Sequence, residues 1–249
     1  MLDIEAHYHY RSIFFFTTYF SDYILVPSKA RNQVIKTLEG RGFVFSEASH
    51  KYVNPAASHS RNSSGAQPSS PSTPPPASEL ELQQRTMDLL KRKNIIPVVQ
   101  RSLHLLQLAG RNDRASRSDL EIGVIKCLVN PPEFFSLTLT QSESPSFLMC
   151  KQAIINFGLG SSDLLLGSKE NYLASFLFDL KELSTEATGI VCGVSSKLVG
   201  GAMGQMLDGV DMRYLSTYRG AAVIVEEEDL EKAIALLREG EPGLEVRQD

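Results

Sequence analysis

Along the chain, short runs of alternating or wholly apolar residues give way to stretches with apolar positions at helical spacing, and this exchange of periods recurs. Ser12 to Thr18 and Asp22 to Val26 predict two strands with a tight turn at Phe20-Ser21. A helix capped by Ser28 follows, with Val34, Ile35 and Leu38 on one face and Gly40 and Gly42 ending it. Phe43-Val44-Phe45 predicts another strand. Further on, the pattern predicts a helix at Leu82–Arg92, a strand at Ser102–Leu108, and a helix at Ser118–Leu128 with Leu120, Val124 and Leu128 as its stripe. A hairpin at Phe134–Thr140 and Ser146–Cys150, a short helix at Lys151–Asn156 and a strand at Leu164–Leu166 complete that order. The last third predicts a strand at Ala174–Leu180 and a helix at Gly189–Leu207 with Ile190, Val194 and Leu198 aligned. A hairpin at Met212–Thr217 and Ala222–Val225 follows. Then come a helix at Asp229–Arg238 facing inward through Leu230, Ala233, Ile234 and Leu237, and a strand at Leu244–Val246.

One hairpin occurs twice. FFFTTYFSDYILVP near the start returns as YLSTYRGAAVIVEE in the last third: Thr17-Thr18-Tyr19 matches Ser216-Thr217-Tyr218, and Ile24-Leu25-Val26 matches Val223-Ile224-Val225. The element order β-α-β-β-α-β, the split β-α-β or ferredoxin-like motif, therefore occurs twice in full and once in part. The expected division is a partial ββαβ unit at 10–53, a linker at 54–79, a full unit at 80–168 and a C-terminal unit at 170–249. The linker reads HSRNSSGAQPSSPSTPPPAS and is too poor in apolar side chains to offset chain entropy, which predicts disorder. The partial unit has too few residues before Ser12 for its opening strand and helix. It is expected either to be truncated relative to natural relatives or to borrow those parts from elsewhere.

Composition narrows the partners. A net charge of −4 over 249 residues offers no general reason for nucleic-acid binding. No apolar run approaches the ~20 residues of a membrane span, and MLDIEAHYHY reads as neither a secretory signal nor a transit peptide. Cys127, Cys150 and Cys192 are far apart and form no CxxC pair, which predicts reduced, buried thiols and a cytoplasmic location.

The segments SIFFFTTYFSDYILVP (12–27), FFSLTLT (134–140), SDLLLGS (162–168), ATGIVCGVSSKLV (187–199) and YLSTYRGAAVIV (214–225), in this order and spacing, resemble ACT domains, the small-molecule-binding regulatory modules of amino-acid metabolism. The closer resemblance is to the CASTOR family of tandem-ACT proteins, whose animal members sense arginine for the TOR pathway. It covers roughly three quarters of the chain. It implies an α+β fold of tandem ACT units and an amino acid held between the first and last of them. It also implies a protein partner of the TOR-regulating type and a homodimer formed through ACT sheets. Carried over by residue, Ser12 and Ile13 would face the ligand from the first strand. Gly189, Ile190 and Val191 would present backbone amides at the start of the long helix, and Thr217 and Tyr218 would line the pocket from the repeated hairpin. A helix start carries unpaired N–H groups and partial positive charge, which suits a carboxylate. Gly189 permits close approach and Thr188 is placed to cap.

Two departures redirect the ligand reading. The acid expected to hold a guanidinium falls on Ala221, and a nearby acidic position falls on Ala187. A buried guanidinium without an acidic partner is a costly charge, so a smaller, less charged amino acid is expected in place of arginine. The alternative reading is a ligand-free ACT-like interaction scaffold.

Other features read as structure. Interior glycines 193, 200, 201 and 204 suit close packing of the long helix. His7 and His9 lack further ligands for a metal, and FGLGSS (157–162) lacks phosphate-loop spacing. Asp22 suits the satisfaction of hairpin backbone groups. No GxSxG, HExxH or P-loop occurs, so neither catalysis nor a cofactor is expected.

Overall fold

The computed structural model describes residues 14–40, 42–45, 79–158, 164–183, 189–199, 209–239 and 245–248. Their strands are β1 (Phe14–Thr17), β2 (Asp22–Leu25), β3 (Val98–Val99), β4 (Leu105–Gly110), β5 (Phe135–Thr138), β6 (Ser146–Cys150), β7 (Leu165–Leu166), β8 (Leu173–Asp179), β9 (Met212–Ser216), β10 (Gly220–Glu226) and β11 (Arg247–Gln248). The helices are α1 (Arg31–Glu39), α2 (Glu79–Arg92), α3 (Arg117–Val129), α4 (Ile190–Leu198) and α5 (Leu230–Arg238), with a 3-10 segment at Lys151–Phe157. The fold is α+β. Its main sheet runs β2-β1-β9-β10-β8-β4-β6-β5, with β7 on β4 and β3 on β8.

Two cores flank this sheet, and strand alternation sorts residues between them. Ala221, Val223 and Val225 of β10 join Phe176 and Phe178 of β8 beneath α2, α4 and α5. The alternate residues, Ala222 and Ile224, join Leu105, Leu108, Phe147, Leu120 and Phe157 in the second core, which α3 and the 3-10 segment cover. β4 meets β8 only at Leu105–Leu173, so the two halves of the sheet are joined through a narrow hinge of pairing.

The repeated sequence folds as a repeated structure. Residue i of the first copy corresponds to residue i + 199 of the second, as Thr17 does to Ser216. At that spacing the hairpin register is the same: Thr17 opposite Asp22 matches Ser216 opposite Ala221. The 3-10 turn Ser28–Ala30 matches Glu227–Asp229, and α1 matches α5 end for end. The turns share their hydrogen bonds. The Thr18 amide and hydroxyl both donate to the Ser21 carbonyl (2.8 and 2.9 Å), and those of Thr217 both donate to the Gly220 carbonyl (2.9 and 3.0 Å).

Several expectations change. Phe43–Phe45 forms no strand. In a split β-α-β unit that segment would pair on the opening strand, and the first copy has none among the described residues. Ser28 makes no capping hydrogen bond and instead begins the 3-10 turn, with Ala30 at the α1 N-terminus. The stripe of α3 is rotated: Leu120, Gly123 and Cys127 are buried, while Leu128 is exposed. The Phe157 ring packs where a Cβ on Gly123 would lie, which draws that side of the helix inward. The described part of the long helix ends at Leu198, with Val199 as its C-cap. The closing strand β11 lies later than expected and pairs in parallel with β3, which stands between it and β8. Cys192 is exposed on the outer side of α4, unlike Cys127 and Cys150. The linker lies outside the described residues except for Glu79, which opens α2.

Candidate functional site

The two copies of the hairpin meet edge to edge. β1 pairs with β9 in antiparallel fashion with Phe16 opposite Leu215, and these are equivalent positions of the repeat. A strand facing its own equivalent in this way places a local pseudo-two-fold axis between them. The side chains obey it: the Phe15 amide donates to Ser216 Oγ (3.2 Å) and the Tyr214 amide to Thr17 Oγ1 (3.4 Å). Phe15 and Tyr214, also equivalents, meet edge to face at 6.5 Å. Burial alone pushes the Tyr214 phenol well above its ordinary range, so it stays neutral in this seam.

The sequence-predicted residues divide into three groups. Ser12, Ile13 and Thr188 lie outside the described residues, as do Ala187 and the histidines 7 and 9. Gly189 is the N-cap of α4, with φ +82° and ψ 0°, a left-handed conformation that glycine adopts without strain. Its carbonyl accepts from the Gly193 amide (2.8 Å) and from Thr86 Oγ1 (3.3 Å). Ile190 and Val191 are half-buried against the first core. Thr217 and Tyr218 sit in the β9–β10 turn. Tyr218 is exposed with the Arg219 guanidinium 5.7 Å from its ring centre, and Thr217 lines an open cleft of about 510 Å³.

This cleft has an apolar floor of Ile96, Val98 and Leu177, and a rim of Gln100, Asp179, Lys181, Thr217 and Arg219. The Lys181 side chain and backbone amide both donate to Asp179 and hold its carboxyl below the usual range. Leu177 alternates to the sheet face away from α4. Gly189–Val191 and the Thr217 cleft therefore share one end of the sheet but lie on opposite faces of it. Among the described residues the structure does not gather them around one cavity. Ala221 is buried in the first core, opposite Phe178 on β8 and Ser216 on β9.

Sequence reasoning missed a polar knot beneath the first turn. Thr18 is buried, and its hydroxyl accepts from the amides of Phe20 (3.2 Å) and Ser21 (2.9 Å) and lies 3.2 Å from Glu143 Oε2. Ser21 Oγ hydrogen-bonds to the other Glu143 oxygen. The Tyr19 amide donates to Ser146 Oγ (2.8 Å), and Gln107 Nε2 donates to the Thr18 carbonyl (2.6 Å). Thr18, not Asp22, satisfies the turn. The Asp22 side chain is exposed and has no hydrogen-bond partner among the described residues. The one available signal was Gln107, a lone amide inside the apolar run Leu105 to Leu108. Thr18→Val should lower stability by about 1–3 kcal/mol, because it strands part-buried amide donors and a half-buried carboxylate. Thr217→Val, at the equivalent but exposed position, should change it by less than about 0.5 kcal/mol. Urea midpoints of the two variants check the contrast.

No family model matches the chain, and no curated protein matches it. Among solved structures it is similar to a Vibrio cholerae protein of unknown function described as a possible transport protein. The identity is 14%, the TM-score 0.41, and the match covers 68% of this chain and 96% of the other. It is also similar to an Agrobacterium tumefaciens protein at 19% identity and TM-score 0.41, covering 62% and 93% of the respective chains.

Proposed function

We propose that this chain is a non-catalytic, cytoplasmic regulatory protein of tandem ACT-like build that binds a small amino acid where its first and last units meet. The observation that carries the reading is the pseudo-two-fold junction of β1 with β9, which brings the two copies of one hairpin together with reciprocal hydrogen bonds. The strand orders β7-β4-β6-β5 and β8-β10-β9 support a split β-α-β build for the second and third units. The ligand's carboxylate meets the first-turn amides of α4, just beyond the left-handed Gly189. Arginine is disfavoured because Ala221, which stands where an acid would pair a guanidinium, is buried in an apolar core. The output is a change in how the two hairpins pack, read by a protein partner of the TOR-regulating type. Useful coupling needs about 1–3 kcal/mol of differential affinity between the two packings.

Titration calorimetry across the twenty amino acids tests this. A small, uncharged amino acid should bind, and Gly189→Ala, which forces a Cβ into the left-handed region, should weaken that binding at least about tenfold. Tight binding of arginine would overturn the ligand assignment. A second reading, a ligand-free interaction scaffold, is favoured by the separation of Gly189–Val191 from the Thr217 cleft. Silence across the whole panel, in calorimetry and in thermal shift, would select it.

A further inference from the structure

Helix α3 is apolar on two opposite sides. Leu120, Gly123 and Cys127 are buried toward the second core. Half a turn away, Ile122, Ile125 and Val129 are 50%, 57% and 73% exposed, and exposed Ser118 begins their line. Successive steps of four, three and four residues hold these positions on one seam, as in a coiled coil. At 3.6 residues per turn that seam points directly away from the buried side. Helix α5 shows the ordinary outcome, since its exposed positions include Glu231, Lys232, Ala235 and Arg238. Single exposed apolar residues are common on protein surfaces, whereas a continuous seam of them marks a contact face.

We infer that α3 docks on α3 of a second copy of this chain, antiparallel and about a two-fold axis, with Ile122 and Ile125 at the centre of the contact. The pattern of the seam selects this occupant. It is symmetric about its own midpoint between Gly123 and Val124, where reversal exchanges Ile122 with Ile125 and Ser118 with Val129. That symmetry fits the same helix reversed: Ile122 meets Ile125 of the other copy, and the small Ser118 leaves room for its Val129. Charge fixes the direction. Exposed Asp119 and Lys126 flank one side of the seam, seven residues and therefore about 10 Å apart along the axis, too far to pair with each other. An antiparallel copy sets each Asp119 within a turn of the other copy's Lys126, whereas a parallel copy opposes aspartate to aspartate and lysine to lysine. The contact is helical and so differs from the sheet pairing that the ACT resemblance implies. Because α3 covers the second core and α4 the first, it lies across the sheet from Gly189 and does not rest on the amino-acid reading.

Sedimentation equilibrium of the full chain tests the inference. The chain should be largely dimeric at about 100 µM and monomeric at about 1 µM, as suits an interface of small extent. Ile125→Glu enters the contact twice and should raise the dissociation constant at least about tenfold, and Ile122→Glu should do the same. Asp119→Lys sets lysine beside lysine at both rims and should weaken the dimer about threefold or more. Lys126→Asp should do likewise by opposing aspartates, and the double reversal should restore the parent value. All four positions are exposed, so circular dichroism of every variant should match the parent. Three results would each overturn the inference. One is a chain that stays monomeric at the higher concentration, which means that the seam is covered within the chain or serves a different partner. Another is a dimer that both glutamate variants leave unchanged, which means that a different surface makes it. The third is a double reversal no tighter than either single one, which excludes the antiparallel pairing.

Discussion

Leu237→Ala is expected to destabilise the protein by about 2–5 kcal/mol, and Leu38→Ala by less than about 1 kcal/mol. The two leucines are the same residue at the same place in the repeat, on α5 and α1, so helix propensity and chain context nearly cancel in the comparison. Leu237 is fully buried in the first core with Ile234, Ala233 and Leu230, and its removal leaves a cavity that the surrounding β8 and β10 side chains fill only in part. Leu38 is half-buried on a helix with no buried residue, so water replaces the lost methyl groups and no cavity forms. Equilibrium urea denaturation of both variants measures the difference. Equal losses would mean that α1 is covered in solution.

Gly193→Ala is expected to destabilise the protein by about 1–2 kcal/mol, although alanine is the better helix former by about 1 kcal/mol. The two effects have opposite signs, and packing decides. A Cβ on Gly193 would fall inside the van der Waals envelope of the Thr86 Cβ, Oγ1 and Cγ2 atoms on α2. The obstacle begins at a Cβ fixed to the backbone, so relief requires α2 and α4 to move apart. Thr86 Oγ1 also holds the Gly189 carbonyl, so that movement disturbs the left-handed cap at the start of α4. Gly193→Val should be worse, because it adds bulk without alanine's gain in propensity. Combining Gly193→Ala with Thr86→Gly should restore part of the loss, with a coupling of about 0.5–3 kcal/mol in a double-mutant cycle. A stabilised Gly193→Ala would show that the α2–α4 contact is looser than described.

Much of the local structure was written in the residue pattern. The stripe Leu230, Ala233, Ile234 and Leu237 defines α5 because a helix returns to one face every 3.6 residues, and those four are buried together. The hairpins at Phe135–Cys150 and Met212–Glu226 follow from apolar runs interrupted by turn residues. Of the candidate site, the sequence marked the repeated hairpin and Gly189. It could not mark Glu143 beneath Thr18, or Thr86 against Gly193, because these contacts join residues 125 and 107 positions apart. Local periodicity carries no information at that range.

The repeat shows the division most plainly. By itself the sequence determined that Phe14–Glu39 and Arg213–Arg238 fold alike, since turn hydrogen bonds, register and helix bounds depend on neighbours within a few residues. Only the tertiary structure decided that Val223 is buried while Ile24 is exposed, that Leu237 belongs to a core while Leu38 does not, and that Phe43–Phe45 stays out of a sheet. Burial is a property of what packs against a segment. β8 and α4 pack against the second copy, whereas the first copy, although β9 pairs with its β1, has no strand on the outer edge of β2 among the described residues.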